Sequence, residues 1–252
     1  MRKKFFILLI VLILPSNFFA QNYHGITGLL QVPSAETDSA GTFRGGVSFL
    51  HKAFLPDLSY YGDGIPFNTM SYSVGFTPWQ WVELSYTGTF VKMHPSGDES
   101  RPLGYYNEDR HINIKFRPLK EGKYWPAIAV GWDDAGNFKT LKFKKSMTSN
   151  AFFENLYIVG SKHFDIQSNV LGVHLAYRYY PSKENSERRG IAGGVTFRPS
   201  FYRPLRIIAE WDGVGVNAGA DVLLWRHLFL QACLVHGRGF TGGISYHYTI
   251  HF

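Results

Sequence analysis

The sequence predicts an all-β protein, namely a single antiparallel transmembrane β-barrel of about twelve strands. Three observations predict it. Apolar and polar residues alternate with a period of two from residue 41 onward, and the last strand alternates Ile, Tyr and Phe up to Phe252. Aromatic residues make up 17% of the chain although its mean hydropathy is only -0.13. This combination is typical of strands in which only alternate side chains face lipid.

The first six predicted strands each place apolar side chains on one face. Their apolar faces are Phe43, Val47 and Phe49 (41–50); Met70, Tyr72, Val74 and Phe76 (67–76); Val82, Leu84, Tyr86 and Phe90 (81–92); Ile112, Ile114 and Phe116 (109–117); and Ile128, Val130 and Trp132 (125–133). The sixth strand, 154–163, alternates less regularly. Small or polar residues fill the opposite faces, where space inside a barrel is limited.

The remaining six predicted strands follow the same rule. They are 169–179 with Leu171, Val173, Leu175, Tyr177 and Tyr179 on one face; 190–198 with Ile191, Val195 and Phe197; 205–212 with Leu205, Ile207, Ala209 and Trp211; and 216–224, 227–235 and 240–252, which are joined by short turns. Most of these lengths match the ~9–11 residues that a tilted strand needs to cross a bilayer.

The predicted connections alternate in length along the chain. The long ones cover about 51–66, 93–108, 134–153 and 180–189, and a short one is centred on Thr77 and Pro78. Long loops on one side and tight turns on the other are typical of outer-membrane barrels. With an even number of strands, this layout places both termini on the periplasmic side.

Residues 1–20 predict a cleaved secretory signal peptide. A basic run at residues 1–4 precedes an apolar run at 5–14 and a cleavage site after Ala20. The apolar run is about half the ~20 residues that a membrane-spanning helix requires. We therefore expect export to the bacterial outer membrane, where the barrel contacts outer-membrane lipid.

Charge and cysteine content narrow the function classes. Cleavage removes Arg2, Lys3 and Lys4, which reduces the formal net charge of +7 by three. The mature chain is then only mildly basic and exported, so we expect no nucleic-acid partner. Cys233 is the single cysteine of the sequence, so the exported chain has no internal disulfide.

Residues 21–40 form a separate N-terminal segment before the barrel at 41–252. The segment hardly alternates and is followed by the predicted first strand. Two interpretations remain open, a periplasmic tether or a plug that folds into the lumen.

The polar faces of the predicted strands collect ionisable residues that we expect to line the lumen. These are Arg44, Glu83, His111, Lys115, Arg117, His174, Arg178, Arg198, Arg206, Glu210, Asp212 and His247. They could line a channel for a polar or anionic solute such as a sugar chain. Alternatively they pair across a barrel of intermediate width and fill it, which is the more favoured interpretation for any single residue.

Catalysis and metal binding are not expected. Ser161 and His174 lie on neighbouring predicted strands but on opposite faces, and Ser245 and His247 share a face without a recognisable signature. The Asp133-Asp134 pair at the start of a loop could bind a cation, but a solvated turn is the favoured interpretation. We therefore expect no enzyme, no cofactor and no metal ligands.

The last strand resembles the closing strand by which outer-membrane barrels are recognised by the barrel-assembly machinery. The residues that carry this resemblance are Gly243, Tyr246, Tyr248, Ile250 and Phe252. The resemblance implies that the assembly machinery is a partner, and it implies nothing about a substrate.

A second resemblance links most of the mature chain to the YjbH-type family. Its motifs are HGITGLLQVPSAE at 24–36, AGTFRGG at 40–46, PAIAVGWDD at 126–134, YIVGSK at 157–162 and AEWDG at 209–213. The chain resembles a short form without the lipobox Cys of better-known members. The resemblance implies an outer-membrane barrel that assists export or assembly of exopolysaccharide or capsule, with polysaccharide and export-system proteins as partners. A small-solute channel or structural barrel is the alternative, followed by a membrane-embedded lipid hydrolase.

Overall fold

The computed structural model describes residues 21–55, 67–135, 152–181 and 183–250. Within them, twelve antiparallel strands form one closed barrel, which confirms the predicted fold class. The strands are β1 (Thr42–Leu50), β2 (Thr69–Trp79), β3 (Val82–Met93), β4 (Gly104–Leu119), β5 (Ala127–Asp133), β6 (Asn155–Ile166), β7 (Asn169–Tyr179), β8 (Gly190–Arg198), β9 (Leu205–Trp211), β10 (Val216–Leu224), β11 (Leu228–Val235) and β12 (Gly239–Thr249). The predictions on residues 1–20 and on Phe252 lie outside the described residues.

The barrel closes where β1 pairs with β12. Thr42 lies opposite Thr249 on one side and Thr77 on the other, so the chain enters and leaves the barrel at the end that carries the short β2–β3 turn. Gly243 lies at this closure, where an added Cβ would be 2.5 Å from Ser48 Oγ and 3.0 Å from the Val47 carbonyl oxygen. Closure pairs the first and last strands, which a sheet in lipid requires because an unpaired backbone group there costs several kcal/mol.

The outer surface of the barrel is apolar. Alternate side chains on the strands point outward, and Leu175 and Ile191 are 62% and 66% exposed. At the short-turn end Trp79 stacks on Trp81 with ring centroids 5.5 Å apart, and Trp81 stacks on Phe116 at 6.4 Å. An apolar band with aromatic rings at its rim is typical of a surface that contacts lipid. Among the described residues, no helix is long and apolar enough to cross a bilayer.

β2, β4 and β6 extend further than the sequence predicts, and β6 continues to Ile166. β2 continues through Thr77 and Pro78 to Trp79, so the predicted turn centre is wrong and the turn lies at Gln80 and Trp81. A register shift between Phe76 and Trp79 accommodates Pro78, because a bulge does not need the ladder hydrogen bond that proline cannot donate. β4 begins at Gly104, which shortens the loop expected at 93–108.

Residues 21–40, here called the lumenal segment, lie inside the barrel. Most of them are fully buried, and Ile26, Leu29 and Val32 are 0% exposed. The segment turns twice, with hydrogen bonds from Asn22 N to the Ile26 carbonyl and from Leu29 N to the Val32 carbonyl. Its apolar side chains pack with Ala127, Ala129, Val159, Ala192 and Ile208 of the wall. The hydrophobic core of this protein therefore sits within the lumen.

The first turn of the lumenal segment requires glycine. Gly25 has a φ of +78°, and a Cβ there would lie 2.8 Å from the Cβ of Ser73 on β2. A larger residue would be strained by its backbone conformation and would collide with the wall.

Candidate functional site in the lumen

Glu210 of β9 holds the middle of the lumenal segment. Its inward-facing carboxylate accepts the backbone N–H groups of Leu30 at 3.0 Å, Gln31 at 2.9 Å and Val32 at 3.0 Å. Asn217 on the neighbouring β10 donates its amide to the same carboxylate at 2.9 Å. Successive N–H groups that converge in this way form an anion-binding concavity, and here the anion is a side chain of the wall.

Glu83 of β3 binds the lumenal segment at two separate residues, Thr27 and Asp38. Its carboxylate accepts the Thr27 N–H at 3.1 Å and the Asp38 N–H at 3.0 Å. It also pairs with Lys115 Nζ at 2.7 Å and with Arg44 Nη1 at 3.4 Å, and all three charged side chains are 0% exposed. Buried charges are tolerated only when they are paired and hydrogen-bonded, and these charges meet both conditions.

The carbonyl groups of the lumenal segment are bound by donors on the wall. Lys115 Nζ donates to the Thr27 carbonyl at 2.9 Å and to the Glu36 carbonyl at 2.6 Å. Arg206 Nη2 donates to the Gly28 carbonyl at 2.8 Å. The His24 carbonyl accepts hydrogen bonds from Ser85, Thr87 and Asn113. An irregular buried chain must satisfy its backbone groups somewhere, and the polar inner face of the barrel supplies the partners.

Ten of the twelve residues predicted to line the lumen are fully buried in the barrel interior or at its rim. They are Arg44, Glu83, His111, Lys115, His174, Arg178, Arg206, Glu210, Asp212 and His247. Arg117 and Arg198 are only half-buried, and Arg117 donates to the Gln80 carbonyl at the short-turn end. The buried side chains of Glu83, Lys115, Arg206 and Glu210 contact the lumenal segment.

Asp212, just after β9, binds several hydrogen-bond donors at the end of the lumen opposite the short-turn end. It accepts Arg188 Nη1 at 3.0 Å and the backbone N–H of Gly215 at 2.9 Å, and His236 Nε2 lies 2.9 Å away. Burial by itself would raise the pKa of Asp212, but Arg188 and the hydrogen bonds lower it to about 2. Arg188 also donates to the side-chain oxygen of Gln31 at 2.7 Å, which links this cluster to the lumenal segment.

Two sequence-based interpretations of polar residues are wrong. Ser161 and His174 are directly opposite in the β6–β7 pairing and share the inner face, with Ser161 Oγ 2.8 Å from His174 Nδ1. The two-residue turn at Gln167 and Ser168, both with positive φ, fixes this register. Ser161 Oγ accepts the Ala35 N–H at 2.8 Å, so the lumenal segment covers the pair.

Asp133 and Asp134 are buried, so the solvated turn predicted at this pair is also wrong. Asp133 accepts the Asn155 amide at 3.1 Å, and the Asp134 N–H donates to Asn113 Oδ1 at 3.1 Å. Asp133 faces the lumen, where its Oδ2 lies 3.8 Å from His24 Nε2 of the lumenal segment. The backbone at Asp134 and Ala135 is held against β4, because the Ala135 N–H donates to the Ile112 carbonyl at 2.7 Å.

The structure also brings together three residues that the sequence analysis did not connect. Glu36 of the lumenal segment, His163 of β6 and His174 of β7 place one potential ligand atom each within 4.8 Å of one another. No local spacing links Glu36 with the histidines. The only sequence signal is that the β6–β7 hairpin places two inward-facing histidines near each other.

The closed barrel, its apolar outer face and an interior filled by the chain's own N-terminal segment define an outer-membrane type of β-barrel. The family model described as exopolysaccharide biosynthesis protein YbjH, of the YjbH family, matches residues 20–249. The chain therefore belongs to the YjbH family, which confirms the resemblance seen in its motifs. No curated protein sequence matches the chain significantly.

Solved barrels resemble the chain weakly. Outer membrane phospholipase A from Escherichia coli is 13% identical with a TM-score of 0.35, over 86% of this chain and 98% of that one. The COG4313 outer membrane channel from Pseudomonas putida F1 is 14% identical with a TM-score of 0.37, again over 86% and 98%.

Proposed function

We propose that this protein is a bacterial outer-membrane barrel that assists export or assembly of exopolysaccharide or capsule. The observation that carries the proposal is the match of the YjbH family model over residues 20–249, because that family is described by exopolysaccharide biosynthesis. In this proposal a cleaved signal peptide directs export, the barrel-assembly machinery inserts the chain, and export-system proteins are its working partners.

The filled lumen supports an assisting role over that of an open pore. Residues 21–40 occupy the barrel interior and are bound by Glu83 and Glu210 from different sides of the wall. We propose that the lumenal segment acts as a plug, so that the resting barrel does not conduct. A sugar chain would then pass through the barrel only after the lumenal segment moves. Alternatively, the sugar chain passes through export-system proteins that the barrel holds in place.

The same burial disfavours an enzyme. A hydrolase needs its nucleophile within reach of a substrate, whereas Ser161 is 1% exposed and lies beneath Ala35. We therefore propose that the protein is not an enzyme.

Deletion of the gene tests the proposed role. We expect secreted polysaccharide to fall in the deletion strain and to be restored by the wild-type gene. The control is an immunoblot of the outer-membrane fraction, with heat-modifiable gel mobility as the sign of a folded barrel. Unchanged secreted polysaccharide in a strain that normally makes the folded barrel would refute the role.

Bilayer conductance tests the plug. We expect low conductance from the wild-type protein and a clear rise after deletion of residues 21–40. No rise in a variant that retains heat-modifiable mobility would count against a plug. High, solute-selective conductance of the wild-type protein would instead favour a small-solute channel.

A further inference from the structure

Glu36, His163 and His174 converge between the lumenal segment and the wall. His163 and His174 face inward from β6 and β7, and Glu36 approaches them from the segment. His163 Nε2 lies 3.0 Å from Glu36 Oε1. Two imidazoles and one carboxylate are a ligand set that catalytic zinc sites use, with a fourth position left for water or another ligand.

His163 is oriented by a second carboxylate. Its Nδ1 lies 2.7 Å from Glu121 Oε2, and its backbone N–H donates to Glu121 Oε1 at 2.9 Å. Nδ1 is thereby occupied, and Nε2 faces Glu36. A carboxylate that holds one imidazole nitrogen while the other faces the metal is the usual outer-shell arrangement at zinc sites.

The two carboxylate oxygens of Glu36 have different neighbours. Its Oε2 is bound by Ser34 Oγ at 3.1 Å and by Arg206 at 3.5 Å. Its Oε1 is buried and lies 3.0 Å from His163 Nε2. A buried carboxylate needs a partner of opposite charge, and a metal cation between Oε1 and the imidazoles would supply one.

Gly172 leaves room for the two imidazoles. It lies opposite His163 in the β6–β7 pairing. A Cβ at this position would be 2.9 Å from His174 Nε2 and 3.0 Å from His163 Cδ2. The absence of a side chain at residue 172 therefore lets the two rings and the Thr196 hydroxyl, 3.2 Å from His174 Nε2, approach each other.

We propose that Glu36, His163 and His174 bind one Zn²⁺ ion, which fastens the lumenal segment to the β6–β7 hairpin. Ligand atoms at tetrahedral zinc are about 3.4 Å apart, so ligand atoms that lie within 4.8 Å of one another reach that geometry by side-chain movements of about 1 Å. His163 is 23% exposed, which gives the ion a route from the short-turn end. The site is independent of the proposed role in polysaccharide export.

Zinc titration of the whole mature barrel tests the site. The protein carries a purification tag without histidine, is stripped with EDTA and is titrated with ZnCl₂ by calorimetry. A parallel titration with CoCl₂ records the visible spectrum, because tetrahedral Co²⁺ absorbs far more strongly than hydrated Co²⁺. We expect one ion per chain and a tetrahedral spectrum.

Variants separate a built site from nonspecific binding. Glu36→Gln and His163→Ala should abolish the tetrahedral spectrum, and Glu121→Gln should weaken zinc binding by about 10–100-fold because it removes only the orienting carboxylate. His94→Ala is the matched control, since His94 lies in a loop and contacts the Arg101 carbonyl. Each variant is first checked for heat-modifiable mobility.

Two results would overturn the proposal. One is a wild-type barrel that binds no Zn²⁺, which would leave His163 as a plain ion-pair partner of Glu36 and Glu121. The other is a folded Glu36→Gln protein with wild-type affinity and spectrum. The wild-type titration decides the question even if every variant fails to fold.

Discussion

Replacement of Glu210 with alanine should release the lumenal segment from the wall. The Glu210 carboxylate is the shared acceptor for the N–H groups of Leu30, Gln31 and Val32. Glu210→Ala removes the acceptor but leaves the three donors in the lumen, where Leu30, Gln31 and Val32 are fully buried. The docked state of the segment should therefore lose stability relative to an undocked state in which water binds these groups.

The size of the effect follows from the number of donors. A buried donor without a partner costs about 1–3 kcal/mol, so three of them cost about 3–9 kcal/mol if their effects add. Each 1.4 kcal/mol is a factor of ten, so even the lower limit increases the undocked population about 100-fold. Glu210→Gln should have a smaller effect, because its amide keeps one acceptor oxygen.

Two measurements detect undocking. Bilayer conductance should rise in the order wild type, Glu210→Gln, Glu210→Ala, and the lumenal segment should become sensitive to added protease. Glu108→Ala is the matched control, because Glu108 binds Tyr72 and Arg110 on the outer face and leaves the lumen unchanged. A Glu210→Ala barrel with wild-type conductance and an equally resistant segment would refute the reasoning.

Three further predictions concern stability and assembly. Lys115→Met leaves the buried Glu83 without its nearest cation, so we expect the barrel to lose about 3–5 kcal/mol of folding stability. This loss is measured as a lower temperature of the heat-modifiable transition, and an unchanged temperature would contradict the prediction. The pKa of Asp212 in the folded protein, about 2, lies below its ordinary value. The ionised carboxylate therefore stabilises the folded state by about 2 kcal/mol above pH ~4, and this contribution is lost as the pH falls through ~2. Acid unfolding of Asp212→Asn should be less steep between these pH values than that of the wild type, and equal slopes would argue against this assignment. Removal of Phe252 should lower the amount of folded barrel in the outer membrane, measured by fractionation, and undiminished assembly would show that the terminal residue is dispensable.

The sequence predicted the strands well because each carries its own signal. In β3, Leu84, Tyr86 and Phe90 point outward while Glu83 points inward, and this alternation is set by the strand itself. The positions of the turns were harder to predict from the sequence. The bulge that carries β2 past Pro78 depends on pairing with β3, which no single segment reveals.

The lumenal site was only partly predictable. The inward residues Glu83, Lys115 and Glu210 were identified from alternation, but their partners were not. Glu210 meets Leu30 across 180 residues of sequence, and no periodicity links them. For the same reason the sequence left open whether residues 21–40 lie inside or outside the barrel, and it missed the meeting of Glu36 with His163.

The sequence by itself determined a barrel, because lipid outside and a polar interior impose an alternation of apolar and polar residues on most of its strands. Only the tertiary structure decided what fills the interior. Charges removed from water need partners, and in a closed ring of twelve strands a partner can come from any strand or from the segment within. The contacts of Glu210, Glu83 and His163 with the lumenal segment are therefore consequences of closure, which brings together residues that are far apart in the chain.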